Sequence, residues 1–144
     1  MRAVVLGFAA FVTLACGPTG PAPHQRLFTD DLAIQVWMDP SPPTALEEIQ
    51  FRVVVRDKKS GEPVEAGEGQ LFATNEDRKS IDNGFEKGPE LGTYYSKLMF
   101  VTAGTWAIGL RFRRDSASIL QRANDWMQQV YPEVPPGKEG KRSP

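Results

Sequence analysis

From Trp106 to Arg113 the chain alternates without a break: Trp106, Ile108, Leu110 and Phe112 hold one parity, and Ala107, Gly109, Arg111 and Arg113 the other. A period of two puts the first set on one face of an extended strand and the second on its opposite face. A strand with one fully apolar face is stable only when a second layer covers that face, so this stretch alone demands a packed β structure. Just upstream, residues 92–100 direct Tyr94, Leu98 and Phe100 toward the same core, and Ala103-Gly104 supplies a turn. The two arms together predict a β-hairpin.

Two earlier segments repeat the pattern. Leu32, Ile34, Val36 and Met38 alternate with Ala33, Gln35 and Trp37, and the prolines at 40, 42 and 43 end the run because they lack the donor a ladder needs. Ile49, Phe51, Val53 and Val55 then point one way and Gln50, Arg52 and Arg56 the other, with Val54 breaking the alternation. Residues 57–63 are polar, end in Gly and Pro, and predict a reversal. Gln70 to Thr74 reads as a short strand, and residues 75–88, dense in Asn, Asp, Glu, Lys and Gly, as a long solvated loop. Several short strands with turns at close intervals predict an all-β antiparallel sandwich over residues 30–114.

After the sandwich the spacing changes. Ile119, Leu120, Ala123, Trp126, Met127, Val130 and Tyr131 recur at three, four and seven residues, and Ser118 with Gln121 has the form of a capping box. This predicts a C-terminal amphipathic helix over residues 115–131, ended by Pro132, with a basic, disordered tail over 132–144. An apolar stripe of that size must be covered. Leu120, Trp126, Met127 and Tyr131 are therefore candidate partner-binding residues, against the alternative that they pack on the sandwich's own edge.

The other end of the chain has a different character. A charge at Arg2 precedes thirteen uncharged residues, 3–15, which end at the only cysteine, Cys16. A membrane-spanning helix needs about 20 apolar residues, so the run is too short to span and has the layout of a signal peptide. Thr13-Leu14-Ala15-Cys16 resembles the lipobox of bacterial lipoproteins, whose cysteine is acylated on sulfur and becomes the new N-terminus; in that motif leucine usually holds the place of Thr13. Cleavage before Cys16 removes 15 of the 144 residues and leaves 129, enough for one domain. The Pro/Gly-rich segment that follows, with acylated Cys16 at its head, reads as a tether over residues 16–29. The expected placement is the bacterial cell envelope, lipid-anchored and facing the periplasm.

Three segments carry a wider resemblance: residues 49–57, then Ser60-Gly61-Glu62-Pro63-Val64, then Gly92-Thr93-Tyr94 with Ala103-Gly104-Thr105-Trp106. Their order is similar to that of the FixH/YtkA-like group of bacterial envelope domains. The resemblance spans roughly residues 32 to 113. It implies an immunoglobulin-like sandwich and a non-catalytic module, attached in some relatives to copper handling or to assembly of a respiratory oxidase. For Tyr94 and Trp106 it implies a structural role between the sheets.

The composition offers little chemistry. Without Arg2 the chain keeps 16 of its 17 basic residues against 18 acidic ones, a net charge of −2, which gives nucleic acid no electrostatic footprint. A serine or cysteine nucleophile needs an activating base, and the one histidine, His24, sits in a segment with little to position it. His24, Met38, Met99 and Met127 are too few and too scattered for a copper or zinc site. The acidic residues of 75–88 lack the alternating spacing of a calcium loop. The expectation is thus a membrane-tethered binding or scaffold module, with no enzyme activity, cofactor or metal of its own. It would have a protein partner in a membrane electron-transfer complex such as an oxidase or a photosynthetic reaction centre. The alternative is a carrier of copper or a small ligand for such a complex.

Overall fold

The computed structural model describes residues 20–133. Cys16, the signal segment 1–15 and the tail beyond Glu133 lie outside the described residues. Ten strands follow in chain order: β1 (Gln25–Phe28), β2 (Leu32–Asp39), β3 (Glu48–Asp57), β4 (Glu68–Asn75), β5 (Ser80–Gly84), β6 (Glu86–Lys87), β7 (Thr93–Met99), β8 (Gly104–Arg113), β9 (Gln121–Arg122) and β10 (Trp126–Val130). They form two antiparallel sheets, the first in the order β1-β2-β3-β7-β6 and the second in the order β10-β8-β4-β5, with β9 beside β8. This is the immunoglobulin arrangement, with strands A, B, E and D in one sheet and C, F and G in the other, supplied here by β2, β3, β7, β6 and by β4, β8, β10.

The alternation read from the sequence decides the interior. Leu32, Ile34, Val36, Ile49, Phe51, Val53 and Val55 from the first sheet meet Leu71, Trp106, Ile108, Leu110 and Phe112 from the second, and all are almost completely buried. Tyr94 packs edge-on against Phe112 with ring centroids 5.1 Å apart, and Phe100 against Trp106 at 5.3 Å. Such aromatic pairs add to the area that they bury.

Four expectations need correction. The segment 92–113 is not a hairpin, because β7 pairs with β3 and β6 whereas β8 pairs with β4 and β10. The connection over residues 100–103 crosses from one sheet to the other. The two arms share a core because they face each other across it, not because they lie side by side. The polar segment 75–88 is not all loop: β5 pairs with β4, β6 pairs with β7, and the chain changes sheets at Phe85. The tether is shorter than expected, since β1 pairs with β2 from Gln25 onward.

The fourth correction is the C-terminal helix, which is absent. Residues 126–130 form β10, paired in antiparallel register with Ile108 through Gly104 of β8. Trp126 and Val130 are buried in the core, while Met127 is exposed. A spacing of four places two residues on one face under either period, so this pair could not distinguish helix from strand. Asp115, not Ser118, organises the start of the segment: its carboxylate accepts the Ala117 N–H at 2.9 Å and the Ser118 hydroxyl at 2.8 Å. Ile119, expected to pack, is 85% exposed.

Candidate functional site: the outer face of the first sheet

The side chains of β2, β3 and β7 that turn away from the core form rows across the sheet. Trp37 lies opposite Arg52, and Arg52 opposite Tyr95, so the three make one continuous row. The next row runs Arg26, Gln35, Val54, Thr93, and the one beyond it Phe28, Ala33, Arg56. The Arg52 guanidinium sits 4.0 Å from the centroid of the Trp37 ring, within the range of a cation–π contact.

Residues 20–23 fold back along this face. The indole N–H of Trp37 donates to the carbonyl of Pro21 at 2.9 Å, which fixes the segment at the rim. Between it and Leu91 on the far side runs a groove of about 530 Å³ floored by Gln35, Val54 and Thr93, with Arg26, Arg52 and Arg56 along it. A second hollow of about 360 Å³ adjoins it, lined by His24, Asp39, Gln50 and Tyr95.

The electrostatics are lopsided. None of the five ion pairs among the described residues involves Arg26, Arg52 or Arg56. Arg56 donates to the Gly61 carbonyl at 3.1 Å, which leaves its charge uncompensated. Glu90 lines the groove and Asp39 the adjoining hollow. The face therefore offers cations, a flat aromatic ring and a shallow concavity, the combination suited to an anionic, extended surface.

His24 is held by the fold. Its Nδ1 accepts the backbone N–H of Met38 at 2.9 Å, so that nitrogen's lone pair is in use and the other nitrogen carries the proton. The Met38 side chain points into the core. Among the described residues no three His, Cys, Asp or Glu side chains gather as metal ligands would.

Two other charged clusters are structural. Arg114 donates through Nε to Asp31 at 3.0 Å and also to the carboxylate of Asp57, clasping the end of β8 to the first sheet. Asp57 also accepts the N–H groups of Ser60 at 2.8 Å and Lys59 at 2.9 Å. The Ser60 bond first, and then Arg114, holds the Asp57 carboxyl well below the usual carboxylate range. On the second sheet, Arg111 and Arg122 flank the Phe72 ring, each 4.9 Å from its centroid. Arg122 is itself paired with Asp125.

The residues singled out from the sequence are dispersed. Trp126 is core, Leu120 borders a hollow beside Arg111 and Arg113, Met127 lies on the outer face of the second sheet, and Tyr131 bridges to Thr44 at one end of the sandwich. No single stripe collects them. Sequence reasoning passed over Trp37, although an indole on the water-facing parity of a strand was a signal in plain view.

No family model matches the chain, and no curated protein sequence matches it. Solved structures do. FetP of uropathogenic Escherichia coli strain F11, as isolated after expression in the E. coli periplasm, superposes with a TM-score of 0.51 at 9% identity, over 78% of this chain and 95% of that one. A copper-bound glutamate-to-glutamine variant of FetP gives a TM-score of 0.52 at 7% identity, over 81% and 96%. At such identities the likeness establishes the sandwich fold.

Proposed function

We propose that this chain is a lipid-anchored, extracytoplasmic binding module of the bacterial envelope. It has no catalytic role and serves as an accessory or scaffold component of a membrane-bound electron-transfer complex, such as an oxidase or a photosynthetic reaction centre. One observation carries the binding role: Arg52 is stacked on Trp37, beside Arg26 and Arg56, on an open sheet face with no ion-pair partner among the described residues. An aromatic–arginine cluster at a concave surface is the composition that dominates binding interfaces. The lipobox-like segment ending at Cys16 supports the anchor. The resemblance to FixH/YtkA-like domains supports the electron-transfer setting, and the likeness to a FetP produced in the periplasm agrees with an envelope location.

The copper-carrier reading has one observation in its favour, the copper-bound FetP variant of similar fold. Against it stand the engaged Nδ1 of His24 and the inward Met38. Purification from native membranes separates the two. Co-purification in fixed stoichiometry with a large complex is the expected result. A monomer that retains copper through purification would establish the carrier instead.

A further inference from the structure

Gly20, at the rim of the groove, lies only four residue steps along the chain from Cys16, with three residues between them. Four residues fully extended span at most about 14 Å. If Cys16 carries the anchor, as proposed above, the acyl chains enter the bilayer within that distance of the outer face of the first sheet. The Pro21 carbonyl, fixed to the Trp37 indole, keeps the rim from swinging away on the domain's side.

The face so placed carries Arg26, Arg52 and Arg56 without carboxylate partners among the described residues, beside Trp37 and Tyr95 and next to the exposed Phe28 and Leu91. Arginine matches phosphate oxygens through two parallel N–H bonds. Indole and phenol rings favour the headgroup level, where one edge is apolar and the other wet. We infer that the outer face of the first sheet rests on the phosphates of anionic lipids in the membrane to which Cys16 is tethered. The domain then lies on its side, and the outer face of the second sheet, with Phe72 and Met127, is turned away from the bilayer and left free for protein partners.

The inference rests on the anchored reading, and the experiment keeps the two apart. The acylated chain, whose only native sulfhydryl is consumed by the lipid, receives a single spin label at Gln35→Cys on the first sheet or at Gln70→Cys on the second. Each is reconstituted in vesicles of phosphatidylcholine alone or of phosphatidylcholine with phosphatidylglycerol at about three to one. In the anionic vesicles the label at 35 should be shielded from a water-soluble relaxation agent about tenfold relative to the label at 70. The shielding should fall away in about 1 M salt, where the screening length shrinks to about 3 Å, and in the Arg26→Glu, Arg52→Glu, Arg56→Glu variant. The salt arm decides the matter if that variant does not fold. Equal accessibility of the two labels in anionic vesicles, on a chain whose mass includes the lipid, overturns the inference and leaves the anchor standing. Quenching of Trp37 fluorescence by inorganic phosphate at millimolar concentration, with no response to anionic vesicles, also overturns it and makes the groove a small-anion site. A chain whose mass carries no lipid refutes the anchor; sedimentation of that chain with the anionic vesicles then supports the face as a lipid surface, and its absence overturns it.

Discussion

The Tyr94 hydroxyl donates to the backbone carbonyl of Val64 at 2.6 Å and accepts the Gly67 N–H at 2.9 Å. One phenol on β7 thereby fixes the crossing segment that leads from the first sheet into β4 of the second. Burial pushes its pKa up, so the hydroxyl keeps its proton and can donate. Tyr94→Phe preserves the ring's contact with Phe112 but leaves two backbone groups without their partner. The expected loss is about 1–3 kcal/mol in denaturant titration, and an unchanged midpoint would mean that water replaces the phenol without cost.

The C-terminal strand makes a sharper claim. Trp126 is 7% exposed and the next residue, Met127, 67%. Trp126→Ala should cost about 3–5 kcal/mol, the range for removing a large buried aromatic, and Met127→Ala should scarcely move the melting temperature. A chain truncated after Arg114 should aggregate, because it bares the edge of β8 and opens the core. A soluble, cooperatively melting truncation would return the segment to the status of an appendage.

Acidification tests the clasp at the end of β8. Asp57 has a folded-state pKa held below its unfolded value of about 3.9. It therefore adds stability that is complete above about pH 4 and drains away as pH falls toward the folded value. Melting temperatures from pH 7 to pH 3 should drop more steeply for the native chain than for Asp57→Asn, which lacks this contribution at every pH. Parallel curves would show that Asp57 is not a source of the acid sensitivity.

Intact mass spectrometry of the envelope fraction bears on the anchor. The mature chain should begin at Cys16 with diacylglycerol on its sulfur, and Cys16→Ser should abolish the lipid and block that cleavage. A mature species that starts at any other residue removes the tether.

The sandwich was legible from the sequence wherever a strand has one wet and one dry face. Leu32 to Met38, Trp106 to Phe112 and, apart from Val54, Ile49 to Val55 alternate because the core covers one side of each. Pairing was not legible: the same alternation describes two neighbours in a sheet or two strands facing across a core, which is why β7 and β8 read as a hairpin. β5 was hidden because it is a polar edge strand whose outward residues, Ser80, Asp82 and Gly84, are those of a loop. The seventh strand of the immunoglobulin plan, β10, was hidden by its brevity, since five residues hold too few turns or pleats to define a period. Of the arginine–aromatic face, each residue's orientation followed from parity. That the rows align Trp37, Arg52 and Tyr95 depends on register, which no single strand records.

β1 has only four residues and one neighbour, and its first residue is the one nearest the N-terminus. A pull applied at that end meets the ladder one rung at a time instead of shearing all rungs together. β1 should therefore unzip from β2 at low force and release slack before the load reaches the interior. β2 is held by the full length of β3, from the Leu32–Asp57 pair to the Asp39–Gln50 pair, and stays in place. A load entering at that end should thus be met first by the strand with the fewest rungs, ahead of the sandwich core.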